Sequence, residues 1–431
     1  MGLNLPSFRK KSTLLRGCAY SALTGLLFTS YYSLSWGSDN PTPPSKILLP
    51  ANFEVLLKDD RAYITDPSGT PHQTTIDPDL QLRLQSFIAE RGSPIASAVV
   101  SDIATGRILA LVQGRSPDRW GSTTHTSLHN KFPAASLFKT VVTAAAMEIT
   151  PTGNDQNFGL PGGCGGQDIL PKGDWMNDDR GGGMTLRRAF GHSCNSFFAK
   201  LAINQLGLGT ITHFAKVFGW EQTLPTDFSV EPSKMLPPGA ANSTTHTVGR
   251  FAAGFGHVGI SPVHANWIAS TIGNRGLPRP LILFAESDAN LIMPVAQSPL
   301  VSAETTSRLL DVMKSTVHDG TASTAFGRGR YRSVAQETGG KTGTLNGRSP
   351  RGLTTLFYGV YPLSKPQIAV SAIVVLEDHF AFKASQLAAE AIVDWRDLQD
   401  QRNGIIRSAV LEEKYMPRIH KRSKARHSRR R

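Results

Sequence analysis

Within the stretch FPAASLFKTVVTAA, residues 132–145, Lys139 stands among Ala, Leu, Phe and Val. A lysine in apolar surroundings loses hydration, so its neutral amine becomes accessible near pH 7. Ser136 lies three residues earlier. On a helix, positions i and i+3 share a face, so the hydroxyl and the amine can meet by a hydrogen bond. Serine is a weak nucleophile without an adjacent base, and a desolvated lysine supplies one. The spacing alone is weak evidence, because Ser7 and Lys10 repeat it in a basic leader. Two further segments add to it. GHSCNSFF carries Ser193 and Asn195, and GGKTGT carries Lys341, Thr342, Gly343 and Thr344. The S-x-N pattern also occurs at Ser38 to Asn40, whereas K-T-G occurs once.

The elements that must position these residues follow from apolar periodicity. IDPDLQLRLQSFIAE reads as an amphipathic helix capped by Asp77 or Asp79. ASAVVSDIATGRILALVQ places two apolar runs about a Thr105-Gly106 turn, which predicts a hairpin. Residues 133–275 are mostly helical in pattern, broken by loops such as GLPGGCGGQD. ETGGKTGT, LTTLFYGVYP and QIAVSAIVVLED predict three strands, with PLSKPQ as a turn, and KASQLAAEAIVDWRDLQ a closing helix. Strands come first and last without regular βαβ alternation, so an antiparallel sheet flanked by helices is expected.

The net charge of +13 invites a nucleic-acid reading, but the excess sits at the two ends. Four bases lie in residues 1–16 and nine in 414–431, and neither segment holds an acid. The body between them is balanced, so no nucleic acid is expected as a partner. Gly17 to Trp36 is uncharged and follows a basic leader, which predicts either a retained single-pass membrane anchor with the N-terminus inside or a cleaved signal segment. Either way the rest of the chain is exported, tethered at the inner membrane or released to the periplasm. The basic tail then either meets anionic lipid head groups or acidic wall polymer, or is simply solvated. Three cysteines make no disulfide framework; Cys164 and Cys194 could pair in an oxidising compartment, but two free thiols are the expectation. No metal-ligand spacing occurs and no cofactor is expected.

Taken in order, S-x-x-K at Ser136, S-x-N at Ser193 and K-T-G at Lys341 form the pattern of active-site-serine penicillin-recognising enzymes. The sequence resembles the penicillin-binding protein transpeptidase domain over about residues 74 to 400. TTIDPDLQ, GRILALV, GFGHVGISPVHANWIASTIGNRG, HDGTAST and TTLFYGVYP extend the likeness. The resemblance implies an α+β, β-lactamase/transpeptidase-like fold: a five-stranded antiparallel sheet flanked by helices, with an inserted all-helical subdomain. The chain then divides into a basic cytoplasmic leader (1–16), an anchor or signal segment (17–36), a tether with a small β appendage (37–74), a transpeptidase domain (75–403) and a basic tail (404–431).

By the same resemblance, Ser136 attacks the penultimate D-alanine carbonyl of a peptidoglycan stem peptide and Lys139 accepts its proton. Ser193 relays a proton toward the leaving group in a network with Lys139 and Lys341. Asn195 holds the substrate amide, and Thr342 and Thr344 bind its terminal carboxylate beside Lys341, with Gly343 keeping the edge strand slim. The N–H groups of Ser136 and Thr344 form the oxyanion hole. A β-lactam inhibits by acylating Ser136. Crosslinking by a second stem-peptide amine and trimming by water both remain open. Turnover or sensing of β-lactams is disfavoured, because the nearest counterpart of a deacylating glutamate, Glu231 in EPSKML, does not match the E-x-x-L-N-like pattern. GFGHVG at 254–259 is a literal G-x-G-x-x-G, but Ser261-Pro262 follows at once, against a dinucleotide site. His192 and His257 flank glycine motifs and could line the cleft, but are expected as surface or core residues.

Overall fold

The computed structural model describes residues 46–405, apart from 51–52, 93–94, 115–126, 130–131, 151–152, 156, 161–162, 166–181, 287–297, 349–350 and 377–381. The anchor segment and the basic tail beyond Ile405 lie outside the described residues. The stretch read as a hairpin appendage is a small antiparallel sheet of β1 (Leu56–Lys58), β2 (Arg61–Thr65) and β3 (Pro71–Gln73). Helix α1 (Pro78–Arg91) follows. The Asp77 carboxylate accepts from the N–H groups of Asp79 and Leu80, and Gly92 ends the helix at φ 64°, a conformation glycine adopts without strain.

Strands β4 (Ala96–Asp102) and β5 (Ile108–Gln113) form the hairpin expected about Thr105-Gly106. An insertion then precedes the remaining strands of the same sheet. Its helices are α2 (Lys139–Ile149), α3 (Leu186–Gly191), α4 (Asn195–Leu201), α5 (Gly207–Val217), α6 (Thr245–Ala252), α7 (Pro262–Gly273) and α8 (Ala303–His318), followed by single turns α9 (Ser323–Phe326) and α10 (Arg332–Ala335). The insertion is not purely helical. It also holds β6 (Phe132–Pro133), β9 (Met235–Leu236) and β10 (His257–Ile260) in one small sheet, and β7 (Asn157–Gly159) paired with β8 (Gly183–Thr185). Two- and three-residue strands carry too few alternations to stand out from loops in a sequence pattern. The chain then completes the large sheet with β11 (Gly339–Arg348), β12 (Arg351–Tyr361) and β13 (Ile368–Leu376), before α11 (Ala384–Arg402).

The large sheet runs β11-β12-β13-β4-β5, antiparallel throughout. Its period-two alternation sends Val99, Leu111, Tyr358 and Ile373 to one face and Val100, Val112, Phe357 and Val374 to the other. Leu84 and Phe87 of α1 with Leu387 and Ile392 of α11 cover the second face. Val141 of α2, Trp267 of α7 and Leu309 of α8 belong to the core on the first. Covered on both sides, the central strand β13 reads as the near-continuous apolar run IAVSAIVVL, every residue buried. The edge strand β11 is instead glycine-rich, and it borders the insertion.

Polar bonds set the register between layers. Asn266, fully buried on α7, donates to the carbonyls of Val99 at 3.0 Å and Ala369 at 2.9 Å and accepts from the Ser101 hydroxyl at 2.6 Å. Arg330, just ahead of β11, lies 2.6 Å from Asp394 and 3.1 Å from Asp397 on α11. Both contacts hold the approach to β11 against the far layer. Asn266→Leu leaves the Ser101 hydroxyl without that acceptor, and thermal denaturation is expected to show a loss of about 2 kcal/mol; an unchanged melting temperature would rule out the pinning role.

Candidate active site

Strand β6 leads into the first motif by pairing with β10, and the Ala134 N–H donates to the Val258 carbonyl at 2.7 Å. The chain then turns sharply: Ala135 sits at φ 47°, in the left-handed region that side chains other than glycine rarely occupy. A 3₁₀ helix, Ala135–Phe138, carries Ser136, and α2 begins only at Lys139. The i, i+3 pair therefore meets across a 3₁₀ turn rather than an α turn. In a 3₁₀ helix such positions eclipse, which stacks the two side chains directly. Lys139 Nζ donates to Ser136 Oγ at 2.9 Å. Gly254, the first glycine of GFGHVG at φ 86°, explains part of this motif: a Cβ there would overlap the Ala135 carbonyl oxygen. Gly254 thus serves the nucleophile turn.

Ser193 occupies the tight turn between α3 and α4, again at positive φ, 59°. Its N–H donates to the Phe190 carbonyl at 3.1 Å, so the turn closes on its own helix. Lys139 Nζ reaches the Ser193 carbonyl at 2.8 Å and Oγ at 3.2 Å, and Asn195 Oδ1 at 2.5 Å. Lys341 Nζ, from β11, donates to Ser193 Oγ at 3.0 Å and to the Thr342 carbonyl at 3.1 Å. One serine hydroxyl is thus shared by two lysines that are both fully buried, while Ser136 is 8% exposed. The Phe198 ring lies 5.6 Å from Lys139 Nζ, and the Phe190 ring 5.4 Å from Lys341 Nζ.

Burial dominates the electrostatics. It pushes Lys139 well below its ordinary value, and the nearby Lys341 charge pushes it further down. Burial alone brings Lys341 down to about 7. Once neutral, the amine has a lone pair that can accept the Ser136 hydroxyl proton across that same 2.9 Å contact, which puts a general base in place, and the second lysine adds positive potential beside it.

The remaining expected residues line the edge strand. Lys341 and Gly343 are buried, while Thr342 and Thr344 are partly exposed. A Cβ at Gly343 would come within 3.2 Å of the Ala134 carbonyl, so a larger residue would press β11 against the nucleophile turn. Ser136 is the second residue of its helix, where backbone N–H groups lack an intrahelical acceptor, as an oxyanion site requires. His192 and His257 are exposed, and Glu231 lies against His129 at 3.0 Å.

The cysteines overturn the expectation of free thiols. Cys164 and Cys194 form a disulfide, with Cα atoms 4.6 Å apart. Sequence separation gave no hint of this proximity; the fold carries the 163–165 segment onto the start of α4, where the Ser196 N–H donates to the Cys164 carbonyl at 3.2 Å. Cys194 is the middle residue of S-x-N, so the crosslink holds the backbone between Ser193 and Asn195. The other features missing from the sequence reading are the strained Ala135 and the hydroxyl of Thr321, which contacts Thr342 Oγ1. The glycine at 254 was the available signal for the first; HDGTAST contained the second without marking it.

Closing a loop of about 30 residues, the disulfide is expected to contribute about 3 to 4 kcal/mol through the unfolded chain. Thermal denaturation with and without dithiothreitol, and of Cys164→Ser, checks this; coincident melting curves would overturn it. A second prediction concerns pH: the unfolded chain binds more protons than the folded one between about 7, where Lys341 titrates in the fold, and its ordinary 10.5. Its contribution to stability therefore rises with pH across that window, and Lys341→Met is expected to flatten the slope of stability against pH.

Comparison with known proteins agrees with this geometry. The family model for the penicillin-binding protein transpeptidase domain matches residues 96–394. The peptidoglycan D,D-transpeptidase PbpA of Mycobacterium tuberculosis strain H37Rv is 28% identical, with 72% of this chain and 68% of the relative covered. The PbpA of Mycolicibacterium smegmatis is 24% identical over 83% of this chain and 77% of its own length. Among solved structures, penicillin-binding protein A of M. tuberculosis superposes with a TM-score of 0.58 at 22% identity, covering 76% of this chain and 82% of that one. The transpeptidase domain of Burkholderia pseudomallei penicillin-binding protein 3 gives 0.60 at 19% identity, covering 77% and 96%. With the family model spanning the serine–lysine turn, the turn that holds Ser193 and the strand that carries Lys341, the chain belongs to the penicillin-binding protein transpeptidase domain family.

Proposed function

We propose that this protein crosslinks peptidoglycan as a serine D,D-transpeptidase that passes through an acyl-enzyme at Ser136. The observation that carries the reading is the fully buried Lys139 amine 2.9 Å from Ser136 Oγ. Neutral Lys139 takes the hydroxyl proton as Oγ attacks the penultimate D-alanine carbonyl carbon. The resulting oxyanion faces the N–H groups of Ser136 and Thr344, each such donor being worth about 3 to 4 kcal/mol in the transition state. Collapse breaks the peptide bond, and the proton reaches the departing D-alanine nitrogen through Ser193 Oγ, which both lysines contact. A second stem-peptide amine then attacks the ester, forms the new amide and returns a proton to Ser136. Asn195 meets the substrate amide; Thr342, Thr344 and the Lys341 charge meet the terminal carboxylate.

A β-lactam presents a carbonyl and a carboxylate in the same relation and leaves Ser136 acylated. Solved acyl-enzyme complexes of M. tuberculosis penicillin-binding protein A with imipenem, ceftriaxone and penicillin G support this for a relative. The basic leader and the uncharged 17–36 segment support an inner-membrane anchor with the catalytic domain outside, a cleaved signal being the alternative. The basic tail then lies against anionic lipid or wall polymer.

Fluorescent penicillin labelling of full-length protein in detergent, read by gel and intact mass, tests the reading. A stable adduct is expected in the parent and none in Ser136→Ala; Lys139→Ala is expected to slow acylation by about 10²- to 10⁴-fold. Because the base must be neutral, the acylation rate rises with pH through a transition well below 10.5, the direction in which burial shifts Lys139. A rate that climbs only near 10.5, or an adduct on a residue other than Ser136, would defeat the mechanism.

A further inference from the structure

A hydroxyl from outside the three motifs reaches the substrate edge. Thr321 lies in the segment HDGTAST that leaves α8, and its Oγ1 is in hydrogen-bond contact with Thr342 Oγ1. Its backbone N–H donates to the Gly191 carbonyl at 3.0 Å, and its hydroxyl lies 3.3 Å from the same oxygen. Gly191 ends α3, two residues before Ser193. Thr321 therefore bridges the helix that delivers Ser193 and the strand that delivers Lys341.

The backbone around this bridge has little room to move. A Cβ at Gly320 would overlap the Gly191 carbonyl oxygen, and one at Gly191 would fall 2.6 Å from Ser315 Oγ. Ser315 is itself held, donating toward the carbonyls of Val312 at 2.6 Å and Arg187 at 2.9 Å. The Thr321 side chain is thus presented to Thr342 from a fixed origin. A hydroxyl has one proton, so two arrangements compete. If Thr321 donated to Gly191, Thr342 would donate to Thr321 and its proton would turn away from the substrate. The Gly191 oxygen is the more distant acceptor and already takes the Thr321 N–H. Donation from Thr321 to Thr342 is favoured by geometry, and it leaves the Thr342 proton for an anion at the open edge. Hydroxyls in series polarise one another, and a carboxylate at the end of the series strengthens each bond.

We propose that Thr321 is a positioning residue: its hydroxyl donates to Thr342 Oγ1 and directs the Thr342 proton to the terminal carboxylate of the substrate, so that it helps the site select chains ending in a free carboxylate. The proposal rests on the reading in which Thr342 and Thr344 meet that carboxylate.

The test compares acylation of full-length protein by benzylpenicillin and by its methyl ester, with the dissociation constant and the limiting acylation rate measured separately. Thr321→Val is expected to lower the acid-over-ester preference about tenfold, chiefly in the dissociation constant, the size of one hydrogen bond to a charged group. Thr321→Ser is expected to restore it, and Thr321→Val added to Thr342→Val to cost nothing further. Because the Thr321 side chain is exposed, folding is expected to survive; if Thr321→Val melts early, Thr321→Ala decides by the same ratio. An unchanged preference, equal losses for acid and ester, or additive losses with Thr342→Val would overturn the role of Thr321 alone. Absence of acylation of the parent by either compound would overturn the underlying reading and the role of Thr321 with it.

Discussion

Two fully buried lysines around one serine hydroxyl are the constraint on which the rest of this structure depends. The hydrogen-bond partners of Lys139 are neutral oxygens from Ser136, Ser193 and Asn195, so no carboxylate among them offsets the loss of hydration. Lys341 adds like charge. The neutral amine is the form this environment favours, which makes Lys139 a base while leaving it too constrained to wander from Ser136. A carboxylate in place of Asn195 would have given an ordinary buried ion pair and an ammonium that cannot accept a proton.

Such an arrangement has to be assembled from parts that do not favour it locally. Ala135 and Ser193, each next to or at a reacting hydroxyl, sit at positive φ, which costs on the order of 1 to 3 kcal/mol apiece. Both are held from outside. Gly254 lets the nucleophile turn lie against the neighbouring backbone, and the Cys164–Cys194 disulfide grips the turn that holds Ser193. The strain is distributed among segments far apart in the chain, so none of them would adopt its conformation alone.

The large sheet supplies the reference frame. One edge, β11, carries Lys341 and the two threonines, while the interior strands are packed on both faces and tied to α7 through Asn266. The cleft forms where a slim, glycine-rich edge meets a mostly helical insertion. Gly343 permits that approach, since a Cβ there would come within 3.2 Å of the Ala134 carbonyl oxygen, while Gly339 and Gly340 leave room for Leu363 and for Phe357 of β12.

Local regularities were legible in the sequence. The serine–lysine spacing, the Asp77 cap, the hairpin about Gly106 and the three late strands all depend on neighbours within a few residues, and each follows from helix or strand periodicity. That Ser193 and Lys341 join Ser136 came from the resemblance of three ordered motifs, not from periodicity, because nothing local relates residues 148 apart. The tertiary structure alone decided the 3₁₀ turn under Ser136, the disulfide, the small sheets within the insertion, the Asn266 bridge and the contact of Thr321 with Thr342. The physical reason is common to all of them. Periodicity records which face of an element avoids water, whereas a shared hydroxyl, a crosslink or a strained turn is set by which distant backbone arrives beside it, and that is a property of packing rather than of any stretch of chain.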